Sequence, residues 1–127
     1  MAARAKSIVV GYDGSEAARR ALDRAADLVD GYGSTLAVVT VTGRDEDDAT
    51  TATLDDARER LLARHVTASY VEQVGEPADR LVEAATSRGA DLLVVGRRDH
   101  GALERLVLGS VSTKVLHGAP CDVLVVR

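Results

Sequence analysis

The chain has 127 residues, a net charge of −4 and 46% hydrophobic residues, with three tyrosines and neither Phe nor Trp. Such a length suits one domain, 1–127, with a core built from Val, Leu and Ala, and its mild acidity without a basic stripe or aromatic platform argues against nucleic-acid binding. No apolar run approaches the roughly 20 residues that span a bilayer, and MAARAKSIVVGYD meets charge too early for a signal peptide, so no membrane partner and a cytoplasmic location are expected.

In chain order, SIVVGYD (7–13) predicts a first strand of the near-continuous apolar kind that is covered on both faces. Ser15 can cap a helix in which Ala18, Ala21, Leu22, Ala25 and Val29 recur at three and four residues, with Gly31 as its stop. STLAVVTVT (34–42) is the second strand. The acidic stretch RDEDDAT (44–50) shows no periodicity and reads as a solvated loop; its acids have neither the spacing nor the glycine turn of a metal site. Thr53 begins a second helix with Leu54, Ala57 and Leu61 on one face. VTASYVEQV (66–74) is a third strand, and Thr67, Ser69 and Glu72 mark it as an edge. Pro77 suits the first turn of a third helix, where Ala78, Leu81, Val82 and Ala85 face inward and Gly89 ends the run. DLLVVGR (91–97) is the fourth strand, Ser110 to Leu116 a short fourth helix, and DVLVVR (122–127) the fifth strand. Cys121, the single cysteine, reads as an inert small side chain at that last strand's entrance.

Alternating strands and helices imply a parallel α/β sheet with helices on both faces. Right-handed crossovers and the mixed third strand give the order 3-2-1-4-5, which reverses between strands 1 and 4. In open α/β sheets the ligand crevice lies at that reversal, beyond the carboxyl ends of the strands. Two loops meet there. Asp13 leaves strand 1 where its carboxylate could accept from a ribose hydroxyl or, more plainly, order the turn before Ser15. Gly96 ends strand 4, where a missing side chain lets backbone approach a ligand. Gly109 and Ser110 open the fourth helix, whose free N–H groups and dipole favour an anion, with the Ser110 and Ser112 hydroxyls as further donors; the plainer role is a helix cap.

GYDGSE lacks the Gly-x-Gly-x-x-Gly of a dinucleotide fold, and the chain has no P-loop. His65, His100 and His117 have no metal-ligand spacing, and no nucleophile has a base beside it. Binding is favoured over catalysis, with slow hydrolysis as the upper limit and no metal ligands among the side chains.

Three segments, IVVGYDGSE, GEPADRLVEAATSRGADLLVVGRR and LGSVSTKVLHGAPCDVLVVR, resemble the universal stress protein family in order and interval over essentially the whole chain. The resemblance implies a Rossmann-like fold of the adenine nucleotide alpha hydrolase-like kind and a stress-response role. The family's nucleotide-binding branch carries Gly-x-x-Gly, nine residues, then Gly-Ser or Gly-Thr. Gly96 matches the first glycine and Gly109-Ser110 the last pair, while Asp99 replaces the second glycine. By the same resemblance Asp13 meets the adenosine, Val41 offers backbone to the adenine, and Gly109, Ser110, Val111 and Ser112 surround the phosphates. The ligand so implied is ATP, alone or with Mg²⁺, or another adenine nucleotide, and Arg97 and Arg98 stand ready to balance Asp99. The alternative, which Asp99 motivates, is a nucleotide-free homodimeric interaction module.

The derived order leaves Asp122 to Arg127 at the second edge of the sheet, apolar and without the lysine, proline or bulge that protects an edge. Pairing with its copy about a twofold axis covers such a strand. The resemblance implies homodimers through the same strand.

Overall fold

In the computed structural model of the chain, residues 7–29, 33–43, 47–97 and 110–127 are described. They form β1 (Ser7–Gly11), α1 (Glu16–Val29), β2 (Thr35–Thr42), α2 (Asp47–Ala63), β3 (Ser69–Val74), α3 (Pro77–Ser87), β4 (Leu92–Gly96), α4 (Ser110–Gly118) and β5 (Asp122–Val126). The sheet is five-stranded and ordered β3-β2-β1-β4-β5, as the sequence predicts. All four pairings are parallel, with Ile8 opposite both Leu36 and Leu92, Ala37 opposite Ser69, and Val94 opposite Leu124.

The strand period of two divides the apolar side chains between two layers. Ile8, Val10, Leu36, Val38 and Val94 meet Ala18, Ala21, Leu22, Ala25, Leu54, Ala57 and Leu61 of α1 and α2. Val9, Ala37, Val39, Leu93 and Val95 meet Ala78, Leu81, Ala84, Ala85 and Val115 of α3 and α4. With no Phe or Trp, the largest fully buried side chains among the described residues are Ile8, Leu22, Leu61, Leu93 and a set of valines, and alanine stripes on the helices let their backbones come close. β3 is the most exposed strand, as its composition demands, and Arg58 of α2 lies 4.7 Å above the Tyr70 ring to cover part of it. Among the described residues, no helix is long and apolar enough to cross a membrane.

Local bonds account for where the elements differ from expectation. β1 ends at Gly11, not Asp13, because Gly14 takes a φ of 82° and the Asp13 carboxylate accepts from the Ser15 N–H at 3.0 Å. Ser15 caps α1, its Oγ accepting from Ala18 N at 3.1 Å. β3 begins at Ser69 because Val66 belongs to the end of α2, its N–H donating to Leu61 O at 2.9 Å and its side chain buried. The largest correction concerns 44–50: α2 starts at Asp47 and not at Thr53, so the last four residues of the supposed loop are helical. The other strand ends differ by one residue, and residues 44–46 lie outside the described part.

Both α2 and α3 finish in the same C-terminal motif. Ala90 N donates to Ala85 O at 2.9 Å and Gly89 N to Thr86 O at 3.2 Å, while Val66 N donates to Leu61 O and His65 N to Leu62 O at 3.0 Å. The residue that turns the chain needs positive φ: Gly89 at 58° on α3, but His65 at 58° on α2. A left-handed conformation costs a side chain about 1–2 kcal/mol, only partly offset by the greater unfolded-state freedom of glycine. His65 is exposed, so little packing is lost on truncation. His65→Gly is therefore expected to stabilise the protein by roughly 0.5–1 kcal/mol and raise Tm by about 2–4 °C, read by thermal unfolding.

Candidate functional site

The carboxyl ends of the central strands stand level with one another. Gly11 is opposite Val39, and Tyr12 N extends that ladder by donating to Val39 O at 2.9 Å. On the other side Gly96 is opposite Val126, and Arg97 N donates to Val126 O at 2.7 Å. Asp13, Val41, Gly96 and Arg97 thus share one end of the sheet, at the point where the strand order reverses. α4 runs from this end back to the start of β5, so Ser110, Val111 and Ser112 form its first turn here. Arg98, Asp99 and Gly109 lie outside the described residues.

Asp13 is exposed, and of the two roles open to it in sequence the turn-ordering one is seen directly. Val41 is half-buried against the α3 and α4 layer. Gly96 has a reason that the sequence did not supply. A Cβ on it would lie 2.5 Å from both the C and O atoms of Ala17, so the space left by the missing side chain is filled by the backbone of α1. Gly11 serves α3 in the same manner, its absent Cβ falling 2.9 Å from Leu81 Cδ1. These two glycines draw one helix from each layer tightly onto the site's end of the sheet.

A polar cluster behind Asp13 was missed in the sequence. Tyr12 is 2% exposed, and besides its N–H bond its carbonyl accepts from the buried Thr40 Oγ1 at 2.8 Å. Its hydroxyl donates to Asp56 of α2, which also lies 3.4 Å from Arg60 Nε and 3.8 Å from Arg19 Nε. Burial pushes the Tyr12 phenol up, and the bond to Asp56 adds to this. The Tyr12 hydroxyl, seconded by the two arginines, holds the Asp56 carboxyl below the usual carboxylate range. One signal was available: Thr53, Asp56 and Arg60 form a polar stripe at helical spacing, directly beside the apolar stripe of Leu54, Ala57 and Leu61.

A second missed group is Glu76, the N-cap of α3. Its carboxylate accepts from Asp79 N at 2.9 Å and Ala78 N at 3.3 Å, bonds that, with Lys114 nearby, hold it below the ordinary glutamate range. Lys114 Nζ of α4 lies 3.5 Å away, linking the two helices of that layer at the site's end. Elsewhere, burial pushes the half-buried Cys121 thiol up, with Asp122 and Asp91 adding to the effect, which opposes thiolate chemistry.

The class that this architecture defines is a doubly covered parallel α/β domain whose strand order reverses between β1 and β4, the place where open sheets of this kind carry their ligands. The family model described as the universal stress protein family matches residues 4–127, and the chain belongs to that family. A universal stress protein of Thermus aquaticus is 36% identical, covering 96% of this chain and 98% of that one. Among solved structures, a universal stress protein in complex with cAMP superimposes with a TM-score of 0.80 at 28% identity, covering 98% of this chain and 99% of the other. One from Archaeoglobus fulgidus in complex with dAMP gives 0.80 at 25% identity, covering 98% and 100%.

Proposed function

We propose that the protein is a cytoplasmic stress-response regulator that works by binding an adenine nucleotide, ATP for preference, at the reversal between β1 and β4. The reading is supported by the exposed Asp13 carboxylate, which follows β1 at the carboxyl end of the sheet, and by α4, which starts from the same end with an anion-favouring first turn. Relatives of the same fold solved with cAMP and dAMP support the class of ligand. In this reading Asp13 accepts from the ribose, Val41 offers backbone to the base, and Ser110, Val111 and Ser112 meet the phosphates with Gly96, Arg97, Arg98 and Gly109. No residue around the site is cast as a catalytic base, so occupancy and not turnover is the output.

The direct test is mass spectrometry of the small molecules released when the purified protein is denatured, followed by calorimetric titration with Mg-ATP, Mg-AMP and adenosine. An adenine nucleotide is the expected finding. Asp13→Asn keeps an acceptor for the Ser15 N–H but loses the charge that strengthens a ribose bond, so it is expected to weaken all three ligands about tenfold. Failure of every nucleotide to bind would favour the nucleotide-free dimeric module instead. Either reading includes pairing of β5, the terminal strand of the sheet, with its copy, and light scattering is expected to give twice the protomer mass of 13.4 kDa.

A further inference from the structure

We propose that Asp56 is a positioning residue for the nucleotide site, acting through Tyr12 to hold the turn that presents Asp13; this rests on the function proposed above. The peptide of Tyr12 is fixed on both sides, by Val39 and by Thr40, and its ring is buried. Its hydroxyl reaches a further element, α2, where it donates to Asp56, a residue 44 positions away. Asp56 is in turn flanked by Arg60 from its own helix and Arg19 from α1, so one carboxylate joins β1, α1 and α2. Thr53, one turn earlier on α2, lies against the same loop: a Cβ on Gly14 would stand 3.8 Å from its Cγ2. Asp13 and Gly14 therefore lie between two anchored points, Tyr12 and the Ser15 cap, with α2 as their wall. An exposed carboxylate held in this way need not be ordered by the ligand, which lowers the cost of binding.

The role differs from general stabilisation because it acts on a single neighbour. Tyr12→Phe removes the hydroxyl and keeps the buried ring. Without any ligand, the Ser15 amide resonance reports on Asp13, whose carboxylate accepts from it at 3.0 Å. In Tyr12→Phe that resonance is expected to move toward its position in Asp13→Ala, while the Val94 amide at the sheet centre stays in place. Asp56→Asn, which retains an acceptor for the Tyr12 hydroxyl, is expected to lie closer to wild type than Asp56→Ala. In titrations with ATP, Tyr12→Phe is expected to weaken binding about fivefold, in the range of coupling between neighbours of one network. The same change made in Asp13→Ala is expected to have no effect, since no carboxylate is left to position.

An unmoved Ser15 resonance, or an equal loss of affinity with and without Asp13, would overturn the proposal and reduce the tie to one more core contact. Wild-type protein that binds no nucleotide would sink the proposed function alone. The Ser15 resonance then still decides whether Asp56 holds the turn.

Discussion

Gly96→Ala is expected to lower Tm by about 10 °C, the largest stability change of any small substitution at the site's end of the sheet. The new methyl carbon would sit 2.5 Å from the C and O atoms of Ala17, which are backbone within the first turn of α1 and cannot rotate away. Relief requires α1 to lift from the sheet, and α1 carries Ala18, Ala21, Leu22, Ala25 and Ala26 into the core. Overpacking of this kind costs about 3 kcal/mol, the upper part of its usual range, and that corresponds to about 10 °C for a chain of this length. Gly11→Ala provides the comparison. Its methyl would meet the tip of the Leu81 side chain at 2.9 Å, and a rotamer change can absorb much of that. A loss of about 1 kcal/mol, or roughly 4 °C, is expected there. Equal stability of Gly96→Ala and wild type in thermal unfolding would contradict the close seating of α1 on β4. Since the N-terminus of α1 is capped by Ser15 and Ser15 is bonded to Asp13, the substitution is also expected to weaken nucleotide binding.

Gly96 also shows how far the sequence could be read. Its place at the end of the fourth strand was legible, but its reason was not, because the contact that excludes a side chain comes from a helix 79 positions earlier. The sheet order was legible for a physical reason: runs such as IVV and LLVV must be covered on both faces, and right-handed crossovers leave few arrangements. The start of α2 was not. The acids of DEDDAT carry no apolar period, which hides a helix that begins among them at Asp47. Tyr12 and Asp56 illustrate the general limit: the stripe of Thr53, Asp56 and Arg60 marks a polar face of α2, but nothing local points to a partner 44 positions away. Glu76 and His65 are intermediate cases. A cap before proline can be suspected from Glu-Pro-Ala-Asp, whereas the turn at His65 would have been obvious only had glycine occupied it.

Asp99→Gly is expected to tighten Mg-ATP binding at least tenfold, and the pattern across ligands is more telling than the size. In the family's nucleotide-binding motif this is the position of the second glycine, in the connection between β4 and α4 that the resemblance assigns to the phosphates. The backbone demand on that position is not the main difficulty, since Asp enters the left-handed region more readily than most side chains. Charge is. A carboxylate about 4 Å from a phosphate costs on the order of 1–4 kcal/mol, depending on the local dielectric, or about ten- to a thousandfold in affinity. Repulsion of this origin scales with phosphate charge, so the gain is expected to be largest for ATP, smaller for AMP and absent for adenosine. In the proposed reading Asp13 meets the ribose, so Asp13→Asn should weaken all three alike, which separates the two ends of the proposed site. Arg97 and Arg98 adjoin Asp99 in sequence and would reduce the gain by pairing with it. The opposite sign, Asp99→Gly binding Mg-ATP more weakly than wild type, is the outcome if the carboxylate ligates the nucleotide's metal. Titration of Asp99→Gly with ATP in EDTA and again in Mg²⁺ distinguishes these cases. Tighter binding under both conditions means that the natural aspartate is a brake on occupancy, and weaker binding in Mg²⁺ alone means that it is a metal ligand.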